Sequence, residues 1–147
     1  MRYRWMGAAV CALLSLTAAA RAQSGPCRLT VHVDGFRNQK GVLGVNVFKA
    51  SEGWPEQNDK AFIHRGFPIT GNALSEQVSL PPGRYAVVVL HDENANEKLD
   101  RNFLGVPREG FGFTNNPRVM LTSPGFDTAA FDVTCPATDV QIHLIYK

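Results

Sequence analysis

Tyr85-Ala86-Val87-Val88-Val89-Leu90 is a run of six apolar residues rich in valine. The turn Pro81-Pro82-Gly83 precedes it, and the polar stretch that begins at His91 follows it. A run this short, bounded by turn residues and rich in β-branched side chains, is expected to be a central strand covered on both faces. Outward from it the pattern is period two. Leu29, Val31 and Val33 alternate with Thr30, His32 and Asp34, and Leu43, Val45 and Val47 with Gly44 and Asn46. Val78 and Leu80 close another alternating run, and a weaker strand is expected around Phe67–Thr70. Ala129, Phe131 and Val133, then Val140, Ile142, Leu144 and Tyr146, complete the set. About seven short strands without a long amphipathic helix predict an all-β fold, an antiparallel β-sandwich of immunoglobulin-like or prealbumin-like kind.

Two excursions interrupt the strands. Ser51–Arg65, with Trp54-Pro55, is polar and has room for a short helix; Trp54 reads better as a packing plug under it than as a sugar-stacking platform. Asp92–Pro124 spans about thirty residues, long for a structureless loop. Phe103, Leu104, Phe111 and Phe113 would anchor it, so one long structured loop is expected.

The N-terminus reads as a leader. Arg2 and Arg4 precede an apolar stretch from Met6 to Ala20, and Ala20-Arg21-Ala22 gives a small-residue cleavage signal before Gln23. Residues 1–22 are therefore expected to be a cleaved signal peptide, and 23–147 a single exported domain, periplasmic or extracellular. Three of the 15 basic residues leave with the leader and none of the 13 acidic ones, so the mature chain has one more acid than base. No basic run suggests nucleic acid, and no later apolar run is long enough for a transmembrane segment. Cys27 and Cys135 remain as an even pair in an exported chain, and strand parity would turn both toward the core, so they are expected to form a disulfide.

The chemistry concentrates in His91-Asp92-Glu93-Asn94-Ala95-Asn96-Glu97-Lys98-Leu99-Asp100. Asp92, Asn94, Asn96 and Asp100 place side-chain oxygens at alternate positions of a nine-residue loop, and the Lys98 carbonyl falls where a backbone ligand is usual. That pattern suits calcium, a hard cation that takes six to eight oxygens, with Glu109 folding back as a further ligand. The competing reading is a polar turn whose Asx side chains bond their own backbone. An EF-hand is excluded, because Phe103 stands where a bidentate glutamate belongs and Glu97 where glycine belongs.

The segments Leu80-Pro81-Pro82-Gly83-Arg84-Tyr85, His91 to Asp100, and Gly105 to Asn116 (containing Glu109-Gly110-Phe111-Gly112-Phe113-Thr114-Asn115-Asn116) occur in the order found in a family of exported bacterial proteins catalogued as a conserved domain of unknown function. The chain resembles that family over nearly all of its mature length. The family pattern reads H-D-x-N-x-N-G-x-L-D and then E-G-F-G-F-S-N-N; this chain departs at Glu97, where glycine is usual, and at Thr114, where serine is. The resemblance implies fold and export and leaves the activity open. The L-x-P-G-x-Y turn is also similar to that of prealbumin-like and carboxypeptidase-regulatory sandwiches, which are typically non-catalytic modules.

His91 is read as orienting a loop carboxylate or carbonyl. Phe111, Phe113, Asn115 and Asn116 are candidates for ligand contact, weighed against simply covering one end of the sandwich. His32 and His143 alternate away from the apolar faces of their strands and are expected to face solvent, and His64 has no ligand-spaced neighbour. The reading that follows is a non-catalytic binding or structural module, possessing no cofactor beyond calcium, with an envelope ligand or protein as partner. The alternative is an envelope hydrolase in which His91 acts as base with Asp92 or Glu109. No nucleophile motif accompanies that set.

Overall fold

The computed structural model describes residues 25–120 and 122–147. The expected signal peptide lies outside the described residues. Among the described residues eight strands form two sheets: β1 (Cys27–Asp34), β2 (Val42–Phe48), β3 (Ile63–Pro68), β4 (Ala73–Leu80), β5 (Gly83–Asp92), β6 (Gly110–Phe113), β7 (Phe131–Val133) and β8 (Ala137–His143). One sheet runs β4-β1-β8 and the other β3-β2-β5-β6, with β7 also on β5. All pairings are antiparallel except β1 with β8. Among the described residues no helix is long and apolar enough to cross a membrane.

The alternation predicts the core well. Leu29, Val31 and Val33 face Leu43, Val45 and Val47, Tyr85, Val87 and Val89, and Ile142 in one cluster drawn from both sheets, nearly all fully buried. Period-two sequences put one set of side chains on one face, and burying that set drives the two sheets together. β5 is central as expected: β2 pairs along one side, while β7 and β6 share the other. Its start is pinned by Tyr85, whose hydroxyl donates to the Pro81 carbonyl at 2.9 Å, the device called a tyrosine corner in immunoglobulin-like sandwiches.

Four expectations are corrected. The strand near residue 67 begins earlier, at Ile63, and only the 3₁₀ turn Asn58–Lys60 occupies the preceding excursion. Ala129 ends a helical turn, α1 (Phe126–Ala129), rather than opening a strand. The long loop contains a strand, β6, and its Phe103 and Leu104 are not anchors: they are 94% and 72% exposed at the tip of a hairpin closed by the Arg101–Pro107 bridge. The disulfide forms, with Cα atoms 4.7 Å apart, but its two ends differ in environment. Cys27 is fully buried in β1, whereas Cys135 is exposed in the bend after β7, because the strand ends at Val133 and parity lapses with it. Closing a loop of this length would stabilise by roughly 4–5 kcal/mol on the chain-entropy account.

Candidate functional site

His91 is the next inward position of β5 after Tyr85, Val87 and Val89, so the strand's own period buries it completely. Its ring lies edge-on to Phe36 at 5.3 Å. Nε2 faces the Lys40 carbonyl at 2.9 Å and must donate to it, since a carbonyl only accepts. Nδ1 lies 2.6 Å from the Tyr146 hydroxyl, which itself accepts the Arg37 backbone N–H. In the neutral imidazole the hydroxyl therefore donates to Nδ1, and both ring nitrogens are engaged. The carbonyl that His91 holds belongs to the β1–β2 connection and not to the acidic loop.

Asp92 is 1% exposed and turns back over the loop that follows. Its carboxylate accepts the backbone N–H of Asn96 at 3.1 Å and of Glu97 at 2.6 Å. Asn94 and Asn96 form Asx turns, their side-chain oxygens accepting the N–H of Asn96 and Lys98. Their amide groups both donate to Asp100, at 2.7 and 3.0 Å. The loop needs left-handed backbone at Ala95 (φ 57°) and Glu97 (φ 62°), a conformation that favours glycine. Glu109, 4% exposed, does fold back: one oxygen accepts the N–H of Glu93 and the other that of Asp100. So Asn94, Asn96 and Asp100 come together, Asp92 holds the loop from below, and Glu109 braces its two ends.

These groups offer only oxygen donors toward a cation, a set that suits calcium and not a soft metal. Among the described residues no group of three or more His, Cys, Asp or Glu side chains is placed to hold a metal. As they stand the side chains bond one another and the backbone; to take calcium, Asp92 and Asp100 would supply charge, and the two asparagines would have to turn their oxygens, not their amide nitrogens, to the centre.

Sequence reasoning missed three partners. Gly41 (φ 71°) lies so close to β5 that a Cβ there would fall 1.9 Å from the Asp92 carbonyl oxygen, so only glycine lets β2 start beside the loop. Arg37 stacks over the Tyr146 ring at 4.8 Å and donates to Glu93 at 2.6 Å and to the Arg108 carbonyl. That hydrogen bond from Arg37 holds the Glu93 carboxyl below its usual range, and burial pushes the Tyr146 hydroxyl up. Tyr146 itself was visible only as the last apolar position of the final alternating run.

The Gly-Phe-Gly-Phe stretch explains itself from both sides. A Cβ on Gly110 would lie 2.4 Å from the Tyr146 ring, and one on Gly112 2.6 Å from Ile142, because the end of β8 and the chain after it cross tightly over β6. Ile145 pairs with Phe111 there, with backbone bonds in both directions. Phe111 and Phe113 point the other way, buried with Ala86 and Ala129 on the outer face of the larger sheet. Trp54 joins them, 5.7 Å from Phe113, and its indole donates to the Pro124 carbonyl. Thr114 is buried between the Val87 backbone and the Ala129 carbonyl. Asn115 and Asn116 adopt left-handed backbone and bond the carbonyls of Thr128, Ala130 and Gln141.

Two clefts of about 620 Å³ each lie near these residues. One is apolar and floored by Phe111 and Phe113; the other is polar, bordered by Arg37, Glu93, Asp100 and Glu109. His91 and Asp92 line neither. No curated protein and no solved structure matches the chain. A family described as uncharacterized proteins conserved in bacteria, DUF2141, matches residues 31–141, which takes in the His-Asp loop, the Gly-Phe-Gly-Phe strand and the two asparagines: the chain belongs to this family.

Proposed function

We propose that the protein is an exported, periplasmic or extracellular binding module without catalytic activity, whose Asp92–Asp100 loop takes calcium. The observation that carries the reading is the closed loop itself. Asn94, Asn96 and Asp100 meet by side chain, over a buried Asp92 and between the two arms of a buried Glu109. Calcium would enter by taking the Asp100 oxygens from the two asparagine amides, with water filling the remaining positions. Affinity would then be on the order of 10⁻⁴–10⁻³ M, as in extracellular modules. A base role for His91 is disfavoured by its burial and by the two hydrogen bonds that occupy its nitrogens.

The test is a pair of thermal melts, with millimolar calcium and with chelator, on protein recovered from the periplasmic fraction. Binding to the folded state alone adds about 2.7 kcal/mol at a hundredfold excess over Kd. A higher Tm in calcium, abolished by Asp100→Ala, is expected. Equal melting temperatures would reduce the loop to a self-satisfied turn.

A further inference from the structure

The face of the larger sheet turned away from the core is covered only in part. Val88 and Leu90 of β5, with Phe111 and Phe113 of β6, floor the apolar cleft of about 620 Å³, and Leu104 and Met120 stand at its walls. That volume lies within the range of about 300–1,000 Å³ typical of small-molecule sites. Leu104 and Met120 are 72% and 70% exposed, so apolar side chains extend the surface out to its mouth. An apolar patch that continues into a concavity marks a place for a ligand.

Several polar groups of the lining are occupied with one another. Asn46 donates to Asn58, Asn58 donates to the Glu97 carbonyl, and Lys147 donates to the Val119 carbonyl. Glu56 pairs with Arg101, and Glu97 sits beside His64. Among the described residues no carboxylate pairs with the ammonium of Lys98 or of Lys147, and of the two only Lys147 is held, by the Val119 carbonyl, which leaves Lys98 as the cation without a partner. A hydrocarbon chain would find an apolar floor here, with a cation in the lining.

We infer that this cleft holds the acyl chain of a single-chain amphiphile with an anionic head, and that Lys98 meets the head group. The inference deepens the binding-module reading and rests on it. Both sources of such a chain in an envelope, a free fatty acid and a lysophospholipid, share this chemistry.

The experiment titrates the full mature chain with the fluorescent fatty acid cis-parinaric acid, using laurate, lysophosphatidylglycerol and dodecanol as competitors. Saturable one-to-one binding displaced by laurate or by the lysolipid is expected, and the stronger competitor identifies the source. Leu104→Glu with Met120→Glu, both at exposed positions, should weaken binding by about tenfold or more with the melting temperature kept. Lys98→Glu should weaken laurate about tenfold and leave dodecanol unchanged. Phe103→Ser, 94% exposed and outside the lining, should change nothing. Absence of saturable binding, or equal binding by the double variant, would overturn the inference. So would sedimentation with phosphatidylglycerol vesicles that is lost in Phe103→Ser while the cleft takes no laurate, since the hairpin tip would then be a membrane contact. A calcium-dependent Tm that persists when lipid binding fails would remove this ligand and leave the module reading standing.

Discussion

His91 and Tyr146 are 55 residues apart and share a 2.6 Å hydrogen bond between Nδ1 and the phenol hydroxyl. The bond ties the exit of the central strand to the end of the chain, across a strand whose Gly110 leaves no room for a side chain. The stretches His91-Asp92 and Glu109-Gly110-Phe111-Gly112-Phe113 thus meet at a residue that neither contains.

Tyr146→Phe tests this joint. It leaves Nδ1 of a fully buried imidazole without its partner, and an unsatisfied buried group costs about 1–3 kcal/mol. Gly110→Ala should destabilise by a similar amount, because the Tyr146 ring must swing away and release His91. The two costs should overlap in the double variant, since one lost contact cannot be lost twice. Urea unfolding of the three variants measures this, and strict additivity would show that the ring and the histidine act separately.

A pH dependence follows from the neighbouring pair. Arg37 holds the Glu93 carboxyl below its ordinary value, so their mutual stabilisation is complete above the unfolded pKa of about 4.3 and is lost as pH falls through the lower folded value. Wild type should therefore exceed Glu93→Gln by a constant margin near neutrality, narrowing below about pH 4. Because the Arg37 side chain is 44% exposed, added salt should shrink the margin. At the other end burial raises the Tyr146 hydroxyl. Its contribution is whole below the unfolded pKa of about 10 and fades as pH rises through the folded value. That alkaline loss should be missing from Tyr146→Phe.

Glu109→Gln addresses the brace. Its carboxylate accepts one N–H from each end of the loop, and an amide would turn an NH₂ toward one of those donors. A charge-assisted bond lost at a buried site costs about 1.5–3 kcal/mol. Hydrogen exchange at the Glu93 and Asp100 amides should accelerate in the variant while the amides of β1 keep their protection. Unchanged exchange at both would mean that the loop closes without Glu109.

Alternation made most of the fold legible, because Leu29, Leu43, Val87 and their period-two neighbours reach one core only in the register observed. β6 was not legible as a strand. Gly110 and Gly112 depress strand propensity, and their reason for being glycine lies in residues 142 and 146, beyond any local window. Phe103 and Leu104 were misread because composition cannot say which way a hairpin points. At the loop, spacing located the oxygens of Asp92, Asn94, Asn96 and Asp100. It could not show that the asparagine amides would meet Asp100 with nitrogen.

Glu97→Gly places glycine at a residue held at φ 62°. Left-handed backbone costs a side-chain-bearing residue roughly 1–2 kcal/mol, and glycine avoids that cost. Glycine also loses more freedom on folding, about 0.5–1 kcal/mol relative to alanine in regular structure, so the net gain should be modest, up to about 1 kcal/mol. Little else is given up, since the His64 ring lies 3.8 Å from the Glu97 carboxylate and the glutamate is 73% exposed. Its backbone N–H still reaches the Asp92 carboxylate, because glycine keeps that donor. The variant should therefore melt higher in chelator. If the loop takes calcium on this same backbone, the strain is relieved equally in the free and the bound folded protein, so Kd and the calcium-induced rise in Tm should stay those of the wild type. A higher melting temperature in chelator with no calcium response in either protein would separate the two effects: the strain is real, and the loop serves as a turn. A lower melting temperature would mean that the Glu97 side chain stabilises the loop by more than the left-handed backbone costs.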